Sequence, residues 1–173
     1  MSKLEGRVAL VTGGSRGIGR GIATALAREG AAVALTYRRD DDAARSAVEE
    51  IRAAGGTAEA FAASVAHQEQ IDAMVEQARA ALGPIDILVS NAGIASRGHT
   101  VLDTDPAEVE RVVATHAFAA HRLVQLVLPD MRRRGRGDIV VISSSEVTHM
   151  RAGGAPYNMA KAAAEALALT LAH

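Results

Sequence analysis

Cysteine is absent from the 173 residues, and so is tryptophan. Without cysteine there is no disulfide scaffold, no thiol nucleophile and no Cys-ligated zinc or iron–sulfur site. That absence fits a reducing compartment, so a cytoplasmic location is expected. Aromatic residues make up 2%, namely Tyr37, Phe61, Phe118 and Tyr157, too few for a platform that stacks nucleobases. Charge of one sign is lacking too: 19 Lys and Arg oppose 20 Asp and Glu, a net charge of −1. Such a chain has no global field to gather nucleic acid or an anionic membrane. No apolar run reaches the roughly 18–20 residues that cross a bilayer. The start, MSKLEGRVALVTGG, lacks a signal peptide's charged region, apolar core and small-residue cleavage site. What remains is 49% hydrophobic and 23% charged, the balance of a globular protein. The length suits a single domain over residues 1–173.

Short β-rich runs alternate with longer helical stretches. Strands are expected at 7–12, 32–37, 57–65, 85–90 and 138–143. Helices are expected at 17–29, 41–54, 67–82, about 104–134, and from Pro156 onward. In the first helix the apolar Ile18, Ile22, Ala25 and Leu26 follow a helical repeat. Thr104 or Asp105 can cap the long helix, with Pro106 in its first turn. Alternation of this length means βαβ units, hence an α/β fold with a doubly wound, Rossmann-like parallel sheet. The basic run Arg132–Arg134 with Arg136 ends a helix and is expected to lie in solvent, favoured by the helix dipole.

The segment TGGSRGIG at 12–19 follows a strand and opens a helix. Gly13 permits a sharp turn, Gly17 a close approach to a pyrophosphate, and Gly19 tight packing of helix on strand. Unpaired N–H groups at the helix N-terminus, around Ser15, Arg16 and Ile18, then face the phosphates. The same residues spell G-x-S-x-G, the nucleophile elbow of serine hydrolases, with Ser15 as nucleophile. That elbow would lie on the first strand, with no earlier strand and loop to complete an oxyanion hole, so dinucleotide binding is preferred. After the second strand an NAD binder wants Asp or Glu. This chain has Tyr37-Arg38-Arg39, and Arg38 with Arg16 suits the 2′-phosphate of NADP, making NAD the less favoured cofactor.

Four segments in order resemble the short-chain dehydrogenase/reductase family. They are TGGSRGIG at 12–19, SNAG at 90–93, ISSS at 142–145, and Tyr157 with Lys161 as a Tyr-x-x-x-Lys pair. Within the family the chain is most similar to 3-oxoacyl-acyl-carrier-protein reductases. The resemblance implies hydride transfer between a nicotinamide and a carbonyl or secondary alcohol, with a 3-oxoacyl thioester among the expected substrates. Tyr157 would be the proton donor, and Lys161 would hold the nicotinamide ribose. Ser144 would hydrogen-bond the substrate oxygen, with Ser143 and Ser145 as competing neighbours. Asn91, Ala92 and Gly93 would line the cofactor site, as would Ser64 and Val65 beside the adenine. The chemistry of the pair is intelligible: a phenol titrates near 10, and a nearby ammonium favours its ionised form.

Three positions depart from the family pattern. Ser64 stands where an aspartate is usual, and Ser90 replaces the first asparagine of its segment. His116 occupies the place of a fourth catalytic residue, an asparagine, and is either a relay group or a buried structural histidine. The family continues beyond this point with further strands and a substrate lid, so a fragment or a truncated homologue is expected. A non-catalytic dinucleotide-binding or interaction module is therefore the alternative function. Family members are usually tetramers or dimers. The alanine-rich helices at about 104–134 and from 156 lead to the same expectation, a homo-oligomer.

Overall fold

The computed structural model describes residues 2–172. Five strands form one parallel sheet: β1 (Val8–Val11), β2 (Ala32–Tyr37), β3 (Thr57–Ala62), β4 (Ile87–Ser90) and β5 (Asp138–Val141). Their spatial order is β3-β2-β1-β4-β5. Six helices connect and cover them: α1 (Gly17–Arg28), α2 (Asp41–Ala53), α3 (Gln68–Leu82), α4 (Pro106–Val113), α5 (Ala119–Arg134) and α6 (Ala155–Leu171). The chain runs outward in one direction from β1 to β3, then returns to pair β4 with the other side of β1. The strand ends at that reversal splay apart into a crevice, the usual ligand position in open α/β sheets.

The sheet carries apolar side chains on both faces. On one face Val11, Val33 and Leu35 pack with Ala23 and Ala27 of α1 and with Val48 and Ile51 of α2. On the other, Leu10 and Leu88 pack with Ile71 and Met74 of α3 and with Leu123 and Val127 of α5. Burying one such large side chain is worth about 1.5–3 kcal/mol. These two layers make the fold the expected doubly wound α/β sheet.

Several sequence expectations need correction. The strands β1, β3, β4 and β5 are shorter than their apolar runs, because the flanking residues serve turns and the crevice. In α1 the residues packed closest on the sheet are Gly19, Ala23 and Ala27; Ile22 and Leu26 of the apolar repeat pack half-buried against the same core, whereas Ile18 is 68% exposed and Ala25 is exposed. Small side chains let the helix lie close to the sheet, and the large Ile18 is left over the crevice mouth. The expected single helix of about 104–134 is two helices joined by a π-helical turn, Ala114–Phe118. Asp105, not Thr104, caps α4: its carboxylate accepts from the Ala107 amide at 2.9 Å. The basic run is not simply solvated. Asp86 is fully buried and accepts from the Val8 amide, and Arg134 and Arg136 reach its carboxylate at 3.1 and 3.0 Å. This ties the start of β4 to β1 and to the end of α5.

Candidate functional site: a crevice and a buried side-chain cluster

The crevice has a volume of about 940 Å³, and the glycine turn between β1 and α1 forms part of its lining. Gly13 and Gly17 sit at φ +65° and +55°, conformations that disfavour any side chain. Gly19 serves the turn itself rather than a strand: a Cβ there would lie 2.2 Å from the Gly13 carbonyl oxygen. Asn91 braces the same turn, its amide donating to the Thr12 carbonyl at 2.9 Å and the Gly13 carbonyl at 3.3 Å. The Thr12 hydroxyl in turn accepts from the Asn91 and Ala92 amides, both at 3.0 Å. No side chain caps α1, so its first N–H groups are left for a ligand at the crevice floor.

Most predicted cofactor residues converge here. Gly13, Ser15, Arg16, Gly17, Ile18, Gly19, Arg38, Ser64, Val65, Asn91, Ala92 and Gly93 all line the cavity. Ser15 is buried, and among the described residues no histidine is hydrogen-bonded to it, so no hydrolase-like pair forms. The sequence reading missed the opposite wall, where Ala107, Glu110, Arg111 and Ala114 of the α4 region face the glycine turn. Their 3- and 4-residue spacing was a visible signal of one helix face.

A second group lies behind that wall. His116, only 5% exposed, sits inside the π-helical turn. Its Nε2 lies 3.1 Å from the Ile94 amide nitrogen and 2.9 Å from the Ile94 carbonyl oxygen. One nitrogen cannot serve both at once. As an unprotonated acceptor it takes the amide hydrogen, and when protonated it donates to the carbonyl. Gly93 leaves room for the ring, since a Cβ there would lie 2.4 Å from its Cε1. The imidazole meets Tyr157 edge to face, with centroids 5.2 Å apart. The Lys161 Nζ stands 5.7 Å from the centre of the same phenol ring and donates to the Ile142 carbonyl at 2.5 Å. Burial lowers His116 from the ordinary histidine range. The hydrogen bond to Ile94 opposes that shift, and the Lys161 charge reinforces it. Burial also lowers Lys161 from the ordinary lysine range.

Tyr157, Lys161 and His116 are thus brought together, and His116 joins them to the Gly93–Ile94 segment of the crevice. Ser144 stands apart at the exit of β5. Its hydroxyl accepts from the Glu146 amide at 3.2 Å, and among the described residues no hydrogen bond links it to Tyr157. The neighbouring Ser143 donates its hydroxyl proton to Glu165.

The sequence model of the family described as short chain dehydrogenase matches residues 7–173. The chain belongs to this family. It is 42% identical over 144 residues to the ketoacyl reductase HetN of Nostoc sp., an alignment covering 83% of this chain and 50% of that protein. Against the 3-oxoacyl-[acyl-carrier-protein] reductase FabG of Staphylococcus epidermidis it is 37% identical, covering 95% of this chain and 67% of the relative. The chain therefore spans about half to two thirds of the length of these relatives. A metagenomic short-chain oxidoreductase solved in complex with NADP superposes with a TM-score of 0.92 at 39% identity, over 97% of this chain and 76% of that one. A 7α-hydroxysteroid dehydrogenase complexed with NADH and 7-oxo glycochenodeoxycholic acid gives 0.88 at 34% identity, over 95% and 63%. Among the described residues no helix is long and apolar enough to cross a membrane.

Proposed function

We propose that the chain is the dinucleotide-binding domain of an NADP-dependent oxidoreductase acting on a carbonyl or secondary alcohol, with a 3-oxoacyl thioester as the favoured substrate. The observation that supports this is the contact of His116 with both Tyr157 and Ile94, which links the phenol to a residue of the crevice wall. The crevice fits a dinucleotide: an uncapped helix N-terminus, two left-handed glycines and open space above Gly17 offer a cradle for a pyrophosphate. Arg16 and Arg38, both exposed on the cavity wall, would take the 2′-phosphate. When bound, the nicotinamide supplies or accepts the hydride. Tyr157 delivers a proton to the carbonyl oxygen, or removes it in the reverse direction. The Lys161 ammonium beside the ring favours the negative charge left on the Tyr157 oxygen. Ser144 keeps its hydroxyl proton available, because its oxygen is the acceptor in the bond to Glu146, and donates it to the substrate oxygen. His116 replaces an asparagine's donor and acceptor with one nitrogen and holds Ile94 and the phenol ring in place.

Tyr157 and Lys161 do not line the 940 Å³ cavity, which favours, as a second reading, a module that binds the dinucleotide without turnover. One experiment separates them. In the complete gene product, NADPH oxidation with an acetoacetyl thioester is expected to fall about 10²–10⁴-fold in Tyr157→Phe, the usual worth of a general acid. Cofactor affinity should stay within about twofold, as the phenyl ring still packs. Cofactor binding with no turnover in the unaltered protein, across a panel of ketones and alcohols, would favour the second reading. A homo-oligomer built on α4, α5 and α6 belongs to the same proposal: Phe118 and Met159 expose 58% and 56% of their surface. Light scattering that finds a monomer at micromolar concentration would refute it. The absence of cysteine supports a reducing, cytoplasmic setting.

A further inference from the structure

Three serines follow β5, and spacing alone does not say which serves the substrate. The hydrogen bonds separate them. Ser143 spends its proton on the Glu165 carboxylate, while Ser144 accepts from the Glu146 amide and keeps its own proton free. Ser145 is exposed at the start of a short 3₁₀ turn, Ser145–Val147. Glu165 stands four residues after Lys161 and eight after Tyr157, so the three share one face of α6. Two successive residues at the exit of β5 are therefore held by that face, one turn apart. The Ile142 carbonyl accepts from Lys161, and the Ser143 hydroxyl donates to Glu165. The next residue is Ser144.

We infer that Glu165 is a positioning residue. Through Ser143 it fixes the strand exit, so that Ser144 and the Ile142 carbonyl are held in register with Tyr157 and Lys161. The inference rests on the proposed roles of Ser144, Tyr157 and Lys161. An acceptor at position 165 is what the tie requires, not a negative charge, so an amide oxygen should replace the carboxylate.

The test uses the complete gene product with NADPH and an acetoacetyl thioester. Ser143→Ala and Glu165→Ala should each lower kcat about tenfold, the effect of one well-formed hydrogen bond. The Kd for NADPH, read by its fluorescence, should stay within about twofold and shows that the variants fold. The double variant should be no worse than either single one, because both remove the same bond. Glu165→Gln should recover most of the loss. Amide hydrogen exchange over residues 142–147 should quicken in both alanine variants and not in Glu165→Gln, a readout independent of the substrate chosen. Unchanged exchange in Glu165→Ala, multiplicative losses in the double variant, or a Glu165→Gln as poor as the alanine would each overturn the inference. Tyr157→Phe is run alongside. If it stays active, the proposed chemistry has failed. If it is dead while Glu165→Ala is unaffected in both kcat and exchange, only the role of Glu165 has failed.

Discussion

The two sides of the sheet are built by different means. On the β1–β3 side every residue of β1 and the four central residues of β2 are buried, and the crevice above them is shaped by glycine φ angles, strand ends and a bare helix terminus. On the β5 side no strand residue is fully buried, Val140 is 44% exposed, and α6 leaves Met159 and Leu169 more than half exposed. There the site consists of side chains reaching across elements: His116 to Ile94, Lys161 to Ile142, Ser143 to Glu165. Where backbone meets backbone, as at Gly19 against the Gly13 carbonyl, an added atom meets a group that cannot swing aside. A site made of side chains can adjust and can be tuned one group at a time.

A pair of glycine substitutions tests this contrast with the largest expected effects. In Gly19→Ala the new methyl meets the Gly13 carbonyl at 2.2 Å, and neither backbone segment has room to retreat. Strain of this kind costs about 1–3 kcal/mol or more, and NADPH binding should be lost with it. In Gly93→Ala the methyl meets the His116 ring at 2.4 Å, a side chain that can be shortened. Adding His116→Ser should therefore restore much of the melting temperature lost in Gly93→Ala, while the same change should do nothing for Gly19→Ala. Thermal denaturation of the four variants is the measurement. Equal rescue, or none, would break the distinction between the two sides.

The same contrast governs what the sequence disclosed. The order of strands and helices and the glycine turn were legible, because hydrophobic period and glycine spacing are local signals. So was the set of crevice residues on the turn and strand ends. The α1 repeat picked out Ile22 and Leu26, which pack against the core, but also the exposed Ile18 and Ala25, while close packing on the sheet selected Gly19, Ala23 and Ala27. The break in the long helix was invisible: nothing in the run ATHAF demands a π-helical turn, and the contact of His116 with Ile94 spans 22 residues. The pairing of Asp86 with Arg134 and Arg136 was hidden for the same reason, since those partners lie about 50 positions apart in the chain. The spacing of Glu110 and Arg111 marks them as one helix face, but that α4 lies across the crevice is a tertiary fact no local signal carries.

A smaller effect is expected at the cofactor wall. Arg38 is exposed, so its contact with a 2′-phosphate would be partly screened. Arg38→Ala should weaken NADPH about tenfold at low ionic strength, just under the range for hydrogen bonds to charged groups because the contact is screened, and less at 0.5 M salt. NADH affinity should not change. Titration with each cofactor at two salt concentrations checks this, and an equal loss for both would remove Arg38 from the 2′-phosphate.

The smallest effect, and the one most particular to the side-chain half, concerns pH. Burial, aided by the Lys161 charge, holds His116 below its ordinary value, so the native chain resists a proton that the unfolded chain accepts near pH 6.5. The unfolded state then binds more protons in the window below about 6.5, and stability falls as pH falls through it. Above that window both states are neutral at this position and the contribution is complete. Protonation has a structural consequence as well. A charged ring can no longer accept from the Ile94 amide, and it stands in the field of a buried lysine. His116→Asn removes the titration but offers Ile94 an amide donor and a carbonyl acceptor together. Urea unfolding from pH 5 to pH 8 should therefore show a steeper loss toward acid in the unaltered protein than in His116→Asn. Lys161, lowered by burial, adds a stability that rises with pH up to the unfolded lysine value near 10.4, and because both proteins carry it, it drops out of the comparison. Parallel curves for the two proteins below pH 6.5 would mean that His116 takes up its proton alike in the native and unfolded chains. The imidazole would then accept a proton from its place beside Ile94 as readily as in the open chain, and burial would not be what keeps it neutral.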